Sequence, residues 1–186
     1  MKRRGFKYMI IGFFFFFFYG NIFIDVLPDP VGYALIGSGI VKLGTGGIQT
    51  KKAGIIAYIM MILSIPTLFL PAEVFQEMQT ASMGWFFYGF VISVGDLILM
   101  FFVFRLLLHE VEYPADQEEN RNRVRKMMII YMSIALSVTF LQPFLLNMEQ
   151  NSALFLGIAS IVLWLIVQIA FLILLRSLQN TFPTNI

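Results

Sequence analysis

The chain has 186 residues, of which 59% are hydrophobic and only 13% are charged. Soluble domains carry about 25% charged residues, so a soluble core could not bury this much apolar surface, and we expect lipid to be the solvent. The net charge of +2, the absence of cysteine and the single histidine exclude a nucleic-acid-binding surface, disulfides, thiolate sites and most metal centres built on imidazole. We therefore expect no metal, no cofactor and no nucleic-acid partner.

Apolar runs divide the chain into about six predicted transmembrane helices, an all-α polytopic bundle that forms a single integral membrane domain over 1–186. The predicted spans are about 6–27, 31–47, 53–70, 84–108, 127–147 and 153–178, with a cytosolic loop at 109–126. The second is short or half-inserted, because its strongly apolar part reaches only about 20 Å against a hydrocarbon core of about 30 Å.

All 13 Lys and Arg fall on one side of the membrane when the N-terminus is cytosolic. They are Lys2, Arg3, Arg4, Lys7, Lys42, Lys51, Lys52, Arg105, Arg121, Arg123, Arg125, Lys126 and Arg176. Cationic loops are costly to translocate, so this distribution predicts that both termini are cytoplasmic.

Several local patterns refine the predicted runs. The phenylalanine homopolymer at 13–18 is typical of a lipid-facing wall. Residues 44–47 predict a flexible turn that lacks the spacing of a phosphate-binding loop. Pro66 and Pro143 predict helix disruptions. Within 109–126, acids precede bases, which matches the helix dipole and predicts a short cytosolic helix leading into the fifth run.

An acidic cluster is predicted at the outer face. It consists of Asn21, Asp25 and Asp29, joined by Gln142 and Asn147 from the later turn. Two carboxylates there could bind a cation or a basic ligand group. For Asp29 we favour the alternative that it caps the second helix, with Pro30 at the first helical position.

Asp96 is the main candidate functional residue, because it falls near the middle of the fourth run. It shares a helical face with Gly89 and Ser93, and it predicts either a substrate or proton path or an interhelical hydrogen bond. The sixth run adds a polar stripe, which predicts a hydrogen bond between Asp96 and Gln168. The further residues expected to face inward are Ser160, Trp164, Ser133 and Ser137.

The segment from Asn21 to Leu43 contains the pattern Asp-x-Leu-Pro-Asp-x-x-Gly-Tyr. It resembles the opening hairpin of uncharacterised small polytopic membrane proteins of Gram-positive bacteria, which implies a location in a bacterial plasma membrane. More coarsely, the size, the six spans and the cytosolic ends resemble the substrate-binding membrane subunits of energy-coupling vitamin transporters.

Three functions remain open from the sequence. The first is small-solute binding or transport, with a small-molecule ligand. The second is a non-catalytic component that assembles with partner membrane proteins through its small-residue faces. The third is an intramembrane enzyme with an Asp25 and Asp96 dyad. We do not expect catalysis, because those two carboxyls are predicted to lie some 15 Å apart along the membrane normal.

Overall fold

A computed structural model of the chain describes residues 2–18, 29–44, 46–69, 74, 82–111, 118–145 and 148–182. Within these residues the regular structure is entirely helical, as expected for an all-α bundle. The helices are α1 (Lys2–Phe18), α2 (Asp29–Leu43), α3 (Ile48–Leu63), α4 (Met83–His109), α5 (Glu118–Leu145) and α6 (Gln150–Asn180), with a 3-10 helix at Ile65–Phe69 after α3.

Two of the prolines lie at helix boundaries, and a third lies within a helix. α2 begins at Asp29, with Pro30 in its first turn, where the missing N–H costs nothing. Pro66 lies in the 3-10 helix that follows α3, which confirms the disruption expected there. Pro143 does not end α5, which continues to Leu145. The predicted cytosolic helix and the fifth span are one continuous helix.

The helices form a closed ring in chain order, each antiparallel to the next. Every helix packs against its successor, and α6 packs back against α1. The amide of Gln179, near the end of α6, donates a hydrogen bond of 3.2 Å to the carbonyl oxygen of Arg3. We call the end of the ring that carries the start of α1, α3 and α5 the cationic end, since all 13 basic residues lie within about 12 Å of it.

Within the described residues, four segments are long and apolar enough to cross a membrane. They are Ile48–Phe69, Met83–His109, Glu118–Leu141 and Asn151–Asn180. Their outward surfaces are apolar as well, with exposed side chains such as Ile59, Ile130, Phe155 and Ile169. A helix that is hydrophobic on its outer as well as its inner face is typical of a bundle surrounded by lipid.

α1 and α2 are in close backbone contact through glycines. A Cβ atom at Gly12 would lie 2.8 Å from the carbonyl oxygen of Gly32 and 2.8 Å from the amide nitrogen of Ile36. A Cβ atom at Gly39 would lie 2.8 Å from the amide nitrogen of Met9. Any larger residue at these glycines would force the two helices apart.

Buried aromatic side chains fill the centre of the helical bundle. Phe171 of α6 lies between Phe13 of α1 (5.1 Å between centroids), Phe104 of α4 (5.2 Å) and Tyr131 of α5 (5.7 Å). All four are at most 1% exposed. The prediction that the phenylalanine run is a lipid-facing wall is therefore wrong for Phe13, although Phe14 beside it is 49% exposed.

At the cationic end, Glu110 caps the N-terminus of α3. Its Oε1 accepts a hydrogen bond of 2.6 Å from the amide of Gln49, and its Oε2 accepts from the amide of Thr50 at 2.9 Å and from the Thr50 hydroxyl. The Glu110 carboxylate lies so close to Gly47 that a larger residue at this position would displace it. The turn predicted to be flexible thus binds the end of α4 to the start of α3.

Candidate functional site

Asp96 lies near the middle of α4 and is bound by a tyrosine from α2. The hydroxyl of Tyr33 donates a hydrogen bond of 2.5 Å to Oδ1 of Asp96. Tyr33 is 1% exposed, while Asp96 is only partly buried. Oδ2 of Asp96 has no hydrogen-bond partner among the described residues. One carboxylate oxygen is therefore fixed by the protein, and the other is left for a ligand or a proton.

A second carboxyl group, that of Asp29, lies close enough to Asp96 for the two to interact electrostatically. The hydroxyl of Thr67 donates a hydrogen bond of 3.3 Å to its Oδ2. No backbone N–H at the start of α2 donates to this carboxylate, so the predicted N-cap role is wrong. Asn21 and Asp25, the other acidic-cluster residues predicted at the outer face, lie outside the described residues, so that cluster stays a prediction. We call Asp29, Tyr33, Thr67 and Asp96 the two-acid site.

Asp29 and Asp96 lie at the same height in the bundle because α2 is short. Asp29 precedes the end of α2 by 14 residues, and Asp96 precedes the end of α4 by 13, so each lies about 20 Å above the cationic end. Helical side chains lean toward the N-terminus of their helix, so Tyr33, one turn below Asp29, reaches up to Asp96. α4 continues beyond this height for another 13 residues, whereas α2 begins there.

The surroundings of the two-acid site carry no compensating positive charge. All basic residues lie toward the cationic end, and the polar groups that contact the two acids among the described residues are hydroxyls. The hydroxyl of Tyr88, which interacts with Asp29, donates a hydrogen bond of 2.5 Å to the carbonyl oxygen of Leu63. Described residues contain no group of three or more acids and histidines suited to a metal ion.

Above the two-acid site, the polar stripes of α4 and α6 are only partly buried. The hydroxyl of Ser93 donates to the carbonyl oxygen of Gly89 at 3.0 Å, and that of Ser160 donates to the carbonyl oxygen of Leu156 at 2.7 Å. A Cβ atom at Gly157 would meet nothing within 4 Å. The sixth-helix stripe therefore borders open space there instead of packing against a neighbour.

The predicted hydrogen bond between Asp96 and Gln168 is wrong. Gln168 pairs with Tyr131 instead: its Nε2 donates to the tyrosine oxygen at 2.9 Å, and its Oε1 accepts from the tyrosine hydroxyl at 3.1 Å. Trp164, one turn away, packs on Tyr131 with centroids 5.8 Å apart. Gln168 thus satisfies a buried tyrosine in the aromatic centre.

Ser133 and Ser137 do not face the bundle interior. Both are exposed on the outer side of α5, while Tyr131, Ala135 and Thr139 are buried on its inner side. The inward orientation predicted for the two serines is therefore wrong. Asn21, Asp25 and Asn147 lie outside the described residues, as does the side chain of Gln142.

Sequence reasoning missed the hydroxyl partners of the two-acid site, Tyr33 and Thr67. Tyr33 follows Asp29 by four residues and shares its helical face, which was a usable signal. Thr67 gave none, because its position depends on the 3-10 helix that follows α3. No protein-family model matches the chain, and no curated protein or solved structure is significantly similar to it. The interpretation of the site therefore depends on its geometry.

Proposed function

We propose that the protein is an integral membrane protein of a bacterial plasma membrane that binds or transports a small, positively charged solute. The observation that carries this proposal is the hydrogen bond that joins Asp96 to Tyr33, one helical turn from Asp29, at mid-height of the bundle and remote from every basic side chain. The bacterial location follows from the resemblance of the segment at 21–43. The cationic end is cytosolic, because basic residues at the ends of spans are retained on that side.

Two carboxyl groups at this height, when ionised, carry negative charge that no basic side chain compensates. An ionised carboxylate in an apolar environment is costly unless it is paired, and two close carboxylates disfavour each other's charge. The site is therefore neutralised by a proton or by a cation. A protonated amine or a monovalent cation could be exchanged for that proton. The bond from Tyr33 leaves Oδ2 of Asp96 free to make the contact.

Access to the two-acid site is from the end opposite the cationic one. Among the described residues, α2 does not extend beyond Asp29 on that side, the inner residues of α4 and α6 are partly buried, and a Cβ atom at Gly157 would meet nothing within 4 Å. Toward the cationic end, packed aromatic side chains fill the interior of the bundle, since Phe104 and Phe171 are completely buried. Such an arrangement favours entry from outside and requires a conformational change for release to the cytosol.

Native mass spectrometry of the protein purified in mild detergent tests this proposal. We expect a co-purifying small cation that is lost in Asp96→Asn and in Asp29→Asn. Glu149→Gln is the matched control, because it removes a carboxylate that is exposed on the same side of the bundle. Circular dichroism confirms that each variant is folded. A chain free of small molecules that also fails to bind added monovalent cations and organic amines would refute the proposal.

The competing proposal is a non-catalytic component that packs with partner membrane proteins. It relies on the glycines of α2 and on the small-residue stripe of α6 as packing faces. Gly39 contacts α1, however, and a Cβ atom at Gly37 would lie 3.3 Å from the ring of Tyr58 in α3. Those glycines support packing within this chain. A stable protein partner that co-purifies in the absence of any small ligand would favour this alternative.

A further inference from the structure

A cavity of about 360 Å³ lies at the cationic end, between the last turns of α4 and the first turns of α5. It is lined by Arg105, Leu108, His109, Arg121, Arg125 and Met128. Its size is within the range of small-ligand pockets in proteins. It is separate from the two-acid site, and none of its lining residues takes part in the function proposed for that site.

The inner wall of the cavity is mainly apolar, and basic side chains from two helices border it. Arg105 and His109 are four residues apart on α4, and Arg121 and Arg125 are four residues apart on α5, so each pair shares a helical face. No carboxylate of the described residues forms an ion pair with any of the three arginines. Like charges at this spacing repel each other weakly, and an anion in the cavity would relieve that repulsion.

The described carboxylates at this end of the bundle do not line the cavity. Glu110, which directly follows α4, is engaged by the start of α3. Glu118 and Glu119 are exposed in the first turn of α5 and do not line the cavity. The guanidinium of Arg105 lies 5.9 Å from the ring centroid of Phe101, which leaves its N–H groups available to a ligand.

The lining chemistry indicates the class of anion. Guanidinium groups bind phosphate oxygens through paired N–H donors, which makes clustered arginines better suited to phosphate than to a halide. Leu108 and Met128 add an apolar wall beside the cations. A cavity that is both cationic and apolar, at the level where two membrane helices emerge, is typical of sites for anionic lipid headgroups.

We propose that this cavity binds a phosphate group, supplied either by the headgroup of an anionic phospholipid or by a soluble phosphate compound. Arg121 and Arg125 of α5 and Arg105 of α4 all border the cavity, so an occupied site would join the two helices at the cationic end. Both sources present the same phosphate oxygens to the same guanidinium groups. They differ in the acyl chains, which only a lipid would place against Leu108 and Met128.

The test uses the full-length protein in nanodiscs of phosphatidylcholine with a graded fraction of phosphatidylglycerol. The double variant Arg121→Gln with Arg125→Gln removes two charges that line the cavity. The matched control, Arg123→Gln with Lys126→Gln, removes two exposed charges from the same helix that do not line it. The readout is the number of phosphatidylglycerol molecules retained in native mass spectra, together with thermal unfolding as a check of folding.

We expect the cavity variant to lose affinity by about tenfold or more, because each guanidinium removes a charge-assisted hydrogen bond, and the control to change by less than about threefold. Retention of phosphatidylglycerol that inorganic phosphate does not displace identifies a lipid headgroup site. Saturable binding of inorganic phosphate that the cavity variant loses, with no retained lipid, identifies a soluble ligand. Equal losses in both variants, or no binding of either probe, would overturn the proposal.

Discussion

The interface between α1 and α2 and the outer part of α6 both contain glycine, and they use it in opposite ways. At Gly12 and Gly39 the neighbouring backbone is so close that a Cβ atom could not be accommodated. At Gly157 there is nothing within 4 Å. α1 and α2 are therefore in close backbone contact, whereas α6 has no close neighbour at Gly157. A glycine in a membrane helix can mark close packing or free space.

The largest expected effect is at the close interface. Gly12→Leu should lower the free energy of unfolding by about 3 kcal/mol or prevent folding, because overpacking forces the two backbones apart. Gly157→Leu places the same side chain in open space and should change stability by less than about 0.5 kcal/mol. Denaturation with sodium dodecyl sulfate, followed by circular dichroism, measures both. Equal losses would mean that the two glycines do not differ in how closely they are packed.

The second prediction concerns the hydrogen bond from Tyr33 of α2 to Asp96 of α4. Asp96→Asn keeps an oxygen acceptor for Tyr33, whereas Asp96→Leu leaves a buried hydroxyl unsatisfied. Since both changes remove the carboxylate, the difference between them isolates the hydrogen bond, and we expect Asp96→Leu to be about 1–3 kcal/mol less stable.

Adding Tyr33→Phe to Asp96→Leu should recover most of that loss, because the unsatisfied hydroxyl is removed along with its acceptor. Thermal and detergent denaturation of the single and double variants give the coupling energy. Equal stability of Asp96→Asn and Asp96→Leu would show that the hydrogen bond contributes nothing to the fold.

The third prediction concerns the buried hydrogen bonds between Tyr131 of α5 and Gln168 of α6. Gln168→Leu should cost about 1 kcal/mol, because it leaves the buried hydroxyl of Tyr131 without its partner, and hydrogen bonds between membrane helices are modest in energy. Ser137→Ala, on the exposed face of α5, is the control and should be neutral. If the two variants unfold at the same detergent concentration, the pair formed by Gln168 and Tyr131 is not a stabilising contact.

The smallest expected effect is at Glu110, which joins α4 to α3 at the cationic end. Burial tends to raise the pKa of this carboxyl, but hydrogen bonds from Thr50 and Gln49 and the nearby charge of His109 outweigh it, so the pKa lies below its ordinary value of 4.5. A lowered folded-state pKa means that the unfolded chain binds more protons at acidic pH. The contribution of Glu110 is therefore complete above 4.5 and is lost as the pH falls through the folded-state pKa.

Glu110→Gln should therefore lower stability at pH 7 by about 0.5 kcal/mol, a capping contribution reduced by solvent screening. The difference from the unsubstituted protein should disappear in acid. Thermal unfolding from neutral to acidic pH measures it, with Glu119→Gln, exposed in α5, as the control. A difference that persists unchanged in acid would contradict an ionised cap.

Much of the architecture could be predicted from the sequence. Runs of apolar residues, the prolines at 30 and 66 and the one-sided distribution of Lys and Arg determined the all-helical class, four of the spans and the common end of the basic residues. These properties depend on local composition and on the cost of placing charge in lipid, which act on each segment separately. Asp96 also stood out for this reason, as an acid in the middle of an apolar helix.

The partners of Asp96 were decided by tertiary structure alone. The height at which α2 begins places Tyr33 against Asp96, with Asp29 one helical turn from Tyr33, and the rotation of α6 about its axis directs Gln168 to Tyr131 instead. The orientation of α5 likewise places Ser133 and Ser137 outside the ring. In lipid both faces of a helix are apolar, so the hydrophobic pattern that reveals the inner face of a soluble helix is absent. Packing between specific side chains determines which residues meet, and that information is not local.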